Sequence, residues 1–401
     1  MGTLDIDNGW RARPAAAAYA SHLLFGIVMA LLGAILPTLS VRIGFDLAQA
    51  GRLFLVMNAC LLLSSLGLGP LMDRFGMKPP LVVGSLLVGA GLALVALARD
   101  YESLAWGAVV LGLGGGGLNT GGNTLVADLH QAQEARSAAL NRLGVFFGIG
   151  AVLMPLAIGL LLQAAELGSI LLAGAALCVA VALHNALVAL PPPKRQHHVP
   201  LADVVRLARE PFVLVFAALL FFQSGNEFVA GGYASSFLVR ENGLSVRAAS
   251  WALTGFWVAL MLARLVLSRV ALRVNGPRLL VLCALASAAG TALLVLSRHP
   301  AIAVLALLCM GAGFAGIFPT ALGIVGARHP ALTGTVFGLL ITAALTGGML
   351  LPWLSGIIGE AHGLRPVMTL VAAQCLAIAA IAAYAGRRHS DFGSGGGPSG
   401  M

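Results

Sequence analysis

Few residues in this chain could do chemistry, and the most telling ones lie inside long apolar runs. Glu227 is the clearest. It stands 16 residues into the run 211–239, with Gln223 four positions earlier and Asn226 beside it. A carboxylate in apolar surroundings is costly unless neutralised or paired, so it counts as a functional candidate by default. Three roles are open to it. Desolvation favours its neutral form and would make it a proton carrier. It could form a lasting ion pair with Arg142 or Arg264. It could also bond a solute hydroxyl directly. Asn119 and Asn123 are four apart and so share one helix face. Asn141 follows in the next apolar run. Such amides can bond the hydroxyls of a solute or serve neighbouring helices. Trp257, with Tyr233 and Phe237, could stack on a sugar ring, whereas Trp106, Trp251 and Trp353 fall nearer the ends of apolar runs, where aromatic belts form.

No catalytic constellation accompanies these residues. There is no Ser/His/Asp order, no metal-ligand spacing and no phosphate loop, so the chain is not expected to be an enzyme or to need a cofactor. The glycine-rich stretch 112–122 lies inside an apolar run. A phosphate cradle needs a strand before it and a helix after it, so close helix packing is the better reading. Five cysteines all fall in apolar runs and read as packing residues.

The elements that must hold these residues follow from composition. Of 401 residues, 59% are hydrophobic and 10% charged. A soluble domain carries about 25% charged residues, so this is a polytopic membrane protein. Its net charge of +9 points to sidedness and not to nucleic acid. Twelve spanning helices are predicted, near 15–41, 48–72, 80–98, 103–129, 137–164, 168–190, 211–239, 247–272, 278–297, 301–327, 332–359 and 365–386. With the N-terminus inside, fifteen of the 24 Lys and Arg residues face the cytoplasm and seven face out. That bias predicts both termini cytoplasmic, and the expected location is a cytoplasmic (inner) membrane.

The run P-P-P-K-R-Q-H-H from Pro191 cannot span a membrane and divides the chain. The expected organisation is a six-helix bundle over 1–190, a cytoplasmic linker over 191–210 with an amphipathic helix at 201–209, a second six-helix bundle over 211–390, and a flexible tail over 391–401. His197 and His198 read as solvated loop residues. The halves repeat: at an offset of 197, Gly114, Gly116, Gly150, Pro155 and Gly159 meet Gly311, Gly313, Gly347, Pro352 and Gly356.

The run G-P-L-M-D-R-F-G-M-K over 69–78 joins the second and third expected spans. Its Gly69, Leu71, Asp73, Arg74, Gly76 and Lys78 match the signature loop of the major facilitator superfamily, which this chain resembles. Residues 118–155 and the Gly225-Asn226-Glu227 triplet are similar to the fucose permease and sodium–glucose transporter branch. The resemblance implies two pseudo-symmetric six-helix bundles and a monomer working by alternating access. It also implies a sugar or polyol as solute, with a proton or sodium gradient as driver. It assigns Asp73, Arg74, Asp128 and Arg136 to an inner charge cluster that gates the transporter. Three departures stand against family-style proton coupling: Asn119 occupies a position where proton-coupled relatives carry an acid, the first span offers only His22 where they carry another, and Gly144 lies where several relatives have a polar residue.

The expected function is therefore secondary active transport of a small polar solute, with Asn119, Asn123, Asn141, Gln223, Asn226, Glu227 and Trp257 binding it and Glu227 coupling it to protons. The rivals are a drug or metabolite exporter working as an antiporter, a sodium-coupled or uncoupled sugar carrier, and a non-transporting sensor. No loop longer than about 20 residues is expected, which leaves a sensor without a soluble domain.

Overall fold

A segment surrounded by lipid must satisfy its backbone internally, and helix is the local solution. The computed structural model describes residues 4–129, 133–191, 201–270, 274–329 and 332–393, and its regular elements there are all helical. In order they are α1 (Leu4–Leu39), α2 (Leu47–Phe75), α3 (Lys78–Leu97), α4 (Tyr101–Leu129), α5 (Gln133–Leu161), α6 (Leu167–Leu187), α7 (Leu201–Ala208), α8 (Pro211–Asn242), α9 (Val246–Val270), α10 (Gly276–Leu296), α11 (Pro300–Phe314), α12 (Ile317–Arg328), α13 (Thr333–His362) and α14 (Leu364–Gly393). A π-helical turn, Ser40–Gly44, follows α1.

Eleven described segments are long and apolar enough to cross a membrane. The helix α4 completes the expected twelve. It is 29 residues long, but glycines and amides replace aliphatic side chains along it. The all-α, multi-pass membrane architecture read from the sequence is thus the one observed. One span differs from expectation. Residues 301–327 were expected as a single helix, yet α11 ends at Phe314 and α12 begins at Ile317. Pro319 explains the break: a proline has no N–H to give, and its ring crowds the carbonyl four residues back, here that of Ala315. The helix α14 runs on to Gly393, past the expected start of the tail at 391, and 394–401 lie outside the described residues. So do His197 and His198.

The turn between α2 and α3 is only Gly76 and Met77. Gly76 has φ +78° and its N–H returns to the Met72 carbonyl at 2.8 Å. That left-handed φ is one a Cβ disfavours.

The chain forms two compact units. One contains 1–197 together with 231–240 and 244–257; the other contains 198–230, 241–243 and 258–401. The later part of α8 and the first half of α9 belong to the first unit. Within each unit the repeat is physical. Adding 197 to the starts of α3, α5 and α6 (78, 133, 167) gives 275, 330 and 364, beside the observed starts of α10, α13 and α14 at 276, 333 and 364. In the first unit α3 packs on α4 and α6; in the second α10 packs on α11 and α14. One of the glycine pairs serves the same purpose in both units. A Cβ on Gly150 of α5 would collide with the Leu23 carbonyl of α1, and a Cβ on Gly347 of α13 with the Phe221 carbonyl of α8. Small residues at these points let two backbones touch.

Candidate functional site

In the second unit, the middle of α8 presents the turn from Gln223 to Glu227. Spacing by four stacks these side chains, and Gln223 Nε2 donates to Glu227 Oε2 at 2.8 Å. Ser224 Oγ donates in turn to Gln223 Oε1 at 3.2 Å. The chain of bonds runs toward the carboxylate and fixes the orientation of the Gln223 amide. Arg264 of α9 brings Nη2 to 3.7 Å from Glu227 Oε1, with side-chain exposures of 32% and 12%. Glu227 is therefore not a lone acid. Of the two arginines that sequence offered as partners, the structure selects Arg264; Arg142 is an exposed residue of the first unit. The Arg264 Nε is buried and has no hydrogen-bond partner. The arrangement sets a carboxylate acceptor beside guanidinium donors that the protein leaves largely unspent. Asn226, one position from Glu227, turns elsewhere: its Nδ2 approaches Cys375 Sγ of α14 at 3.8 Å, and its Oδ1 is buried without a partner.

A second polar set lies in the first unit. Asn123 of α4 places Nδ2 at 2.9 Å from both the carbonyl oxygen and Oδ1 of Asn119. The same nitrogen lies 3.2 Å from Nε2 of His22 in α1. His22 is buried, and its ring meets Phe25 edge-on at 5.9 Å. Gly122 makes room for it: a Cβ there would come within 2.5 Å of His22 Nδ1. One turn back along α1, Tyr19 stacks on Phe146 of α5 with centroids 4.7 Å apart. Sequence reasoning named His22 only as the residue standing where relatives carry an acid. Its spacing to Asn123, 101 positions away, gives no local signal.

The other expected site residues are placed as follows. Trp257 is 5% exposed, with its ring against Phe256 and its edge toward Gly231; its Nε1 has no partner. Tyr233 and Phe237 are fully buried, and Tyr233 packs on Phe54. Arg74 is exposed, with its guanidinium 5.1 Å from the Phe75 ring centroid. Asp128 is half-buried. The side chains of Asp73, Arg136 and Asn141 lie outside the described ones. Among the described residues, no cluster of three or more His, Cys, Asp or Glu has the makings of a metal site.

The sequence model of the Major Facilitator Superfamily matches residues 18–228 and 215–395. Among curated proteins, the chain is 28% identical over 136 residues to the MFS-type transporter sphD of Aspergillus fumigatus, a match covering 34% of this chain and 23% of that one. It is 29% identical over 211 residues to the vesicular acetylcholine transporter of Rattus norvegicus, covering 50% of this chain and 38% of the relative. The chain thus spans less than half the length of these relatives. Among solved structures, a mutant of the nucleoside transporter NupG superposes with a TM-score of 0.79 at 15% identity, covering 94% of this chain and 99% of that one. A bacterial homologue of the human lysosomal transporter Spinster, inward-facing and unoccupied, gives 0.78 at 16% identity, covering 94% and 97%. The E. coli fucose:proton symporter FucP gives 0.64 at 19% identity, covering 94% and 99%. At these identities the likeness is one of fold.

Proposed function

The chain belongs to the Major Facilitator Superfamily, and on that footing we propose that it carries a small, neutral, polyhydroxylated solute, a sugar or polyol, by alternating access. The observation that carries this reading is the Glu227–Arg264 pair with Gln223 bonded behind it. Acceptor and donors stand side by side, which is the complement of a vicinal diol. Each hydroxyl can donate to the carboxylate and accept from the guanidinium. The two charges cancel, so a neutral solute leaves no net charge stranded in the span. In the first unit, Asn119 and Asn123 are proposed to offer amide donors and acceptors of the same kind. Asn141, Asn226 and Trp257 complete the proposed binding set on the strength of their positions in the spans alone.

Glu227 is proposed to couple transport to protons through Arg264. Two unit charges about 4 Å apart attract by about 4 kcal/mol at an effective dielectric near 20. Protonating Glu227 removes that attraction and leaves the Arg264 charge unbalanced, so the proton shifts the protein away from the form in which the pair is made. Deprotonation restores the pair. Asp73, Arg74, Asp128 and Arg136 are proposed as a gate on the cytoplasmic side, with both termini on that side of the inner membrane and the protein acting as a monomer.

The test is uptake of radiolabelled L-fucose, D-glucose and mannitol into proteoliposomes, with and without imposed proton and sodium gradients. Glu227→Gln should retain counterflow of the accepted solute and lose gradient-driven accumulation. Accumulation equal to wild type in that variant ends the coupling role of Glu227; absence of uptake for all three solutes ends the sugar reading.

A second reading is exchange of an organic cation for protons, favoured by the name of the acetylcholine-transporting relative. A bare carboxylate would suit a cation, but Arg264 already supplies the counter-charge, and this places the cation reading second. Proton-driven uptake of radiolabelled choline, abolished by Glu227→Gln, would reverse that order.

A further inference from the structure

We propose that His22 is a positioning residue for solute binding, one that fixes which polar atoms the Asn119–Asn123 pair turns outward. The proposal rests on the reading that these amides bind the solute. Asn123 Nδ2 has two hydrogens and three acceptors within reach: His22 Nε2 at 3.2 Å, the Asn119 carbonyl at 2.9 Å and Asn119 Oδ1 at 2.9 Å. Its amide nitrogen is therefore fully committed. Asn123 Oδ1 is the group left to face outward, from a residue that is itself exposed. The Asn119 oxygen is spent on Asn123, so its Nδ2 is the complementary free donor. The pair offers one acceptor and one donor, the same complement that Glu227 and Arg264 offer in the second unit.

His22 holds this polarity in place. An amide alone can rotate by half a turn and exchange oxygen for nitrogen at little cost. In the tautomer whose Nε2 accepts, His22 acts with the Asn119 carbonyl: the flipped amide would put oxygen against both acceptors. The imidazole can hold this role because it is confined: it is buried, it packs on Phe25 with the two rings steeply inclined, and Gly122 leaves room for Nδ1 where a methyl group would not. Nδ1 itself is buried without a partner. Both nitrogens of a charged imidazole would be donors, and Nε2 could then no longer accept from Asn123. The role requires the neutral tautomer that carries its hydrogen on Nδ1 and leaves Nε2 an acceptor.

Four variants test this, using full-length protein in proteoliposomes and whichever of radiolabelled L-fucose, D-glucose or mannitol the wild type takes up. His22→Leu removes the acceptor. His22→Gln can place an amide oxygen near the position of Nε2. Gly122→Ala keeps the imidazole but displaces it. Asn123→Ala tests the underlying reading. Losing one hydrogen bond that orients a polar group should raise KM about five- to tenfold, with the maximal rate little changed. We expect this in His22→Leu and Gly122→Ala, with recovery in His22→Gln. Thermal unfolding in detergent, run on each variant, separates misfolding from mispositioning. An unchanged KM in folded Gly122→Ala or folded His22→Leu overturns the role of His22, as does a loss in His22→Gln equal to that in His22→Leu. An unchanged KM in Asn123→Ala overturns the binding role of the amides, and this proposal with it. Uptake of none of the three solutes refutes the sugar reading and this proposal together.

Discussion

Arg264 Nη2 stands 3.7 Å from Glu227 Oε1, close enough to pair as charges and too far to share a good hydrogen bond. The separation leaves the guanidinium donors available, and it makes the pair separable. Removing one partner strands the other inside the span. For a fully buried pair that costs about 3–5 kcal/mol; partial exposure of both side chains lowers the expectation to about 1–3 kcal/mol. Arg264→Ala and Glu227→Gln should therefore each lower the thermal midpoint in detergent, Glu227→Gln the more, because a stranded carboxyl can neutralise itself by protonation and a stranded guanidinium cannot. The double variant should recover part of that loss, because no charge is left unpaired. Losses that simply add in the double variant would show that the two groups do not interact.

The glycines at 150 and 347 should be equally intolerant of a methyl group. Each sits where a Cβ would meet a carbonyl oxygen of the facing helix. The helices must separate to accept it, and overpacking of that kind costs about 1–3 kcal/mol. Gly150→Ala and Gly347→Ala should each lower the thermal midpoint and the yield of folded protein, by similar amounts. Gly144→Ala is the control, since open space surrounds it. A midpoint in Gly150→Ala no lower than in Gly144→Ala would show that the close approach of α1 and α5 carries no stability.

Those two glycines also show why so much of the fold could be read from the sequence. Helix in lipid is forced by the solvent, and the only freedom left is where helices touch. Glycine and proline mark those points in the sequence itself, which is how an offset of 197 registers two units. The break at Ala315 was legible in principle, since Pro319 stands four residues on, but a continuous apolar run hid it. The site was legible only in part. Gln223 and Glu227 are neighbours by helix geometry, so their bond follows from spacing. Choosing between Arg142 and Arg264 does not, because it depends on which helices pack together. His22 and Asn123 meet across 101 residues, and no local pattern in either helix announces the other. Tyr233 and Phe237 satisfied the sequence criterion for a stacking platform, yet both are fully buried. An aromatic side chain in a span reads alike whether it lines a cavity or fills a core.

Arg247 ties the start of α9 to the end of α5. Its Nη1 donates to Gln163 Oε1 at 2.7 Å and its Nε to the Gly159 carbonyl at 3.2 Å. Trp251, one turn on, lies over Gly159, where a Cβ would be 3.4 Å from the indole. These bonds are partly exposed, so their net worth is about 1 kcal/mol. Arg247→Ala should raise amide exchange in residues 246–251 about fivefold through more frequent local opening. Gln163→Ala should raise it less, because the Gly159 bond survives. Equal exchange in wild type and Arg247→Ala would remove any role for this contact in holding the two helix ends together.

Asp100 gives a pH-dependent prediction outside the spans. It caps α4: Oδ1 accepts from both the backbone N–H and the hydroxyl of Ser103 at 2.8 Å, and its own N–H reaches Ser103 Oγ at 3.4 Å. Those hydrogen bonds from Ser103 hold the carboxyl below its ordinary range. A depressed folded-state pKa means that the ionised form is the stabilising one. Its contribution is present above the ordinary carboxylate pKa of about 3.9 and is lost as pH falls below that toward the folded value. Asp100→Ala should therefore show a lower thermal midpoint than wild type between about pH 5 and pH 8, with the gap narrowing below about pH 4. Asp100→Asn, which still caps but does not titrate, should keep a gap to Asp100→Ala that does not change with pH. A wild-type advantage over Asp100→Ala that persists undiminished at low pH would show that the cap works without its charge.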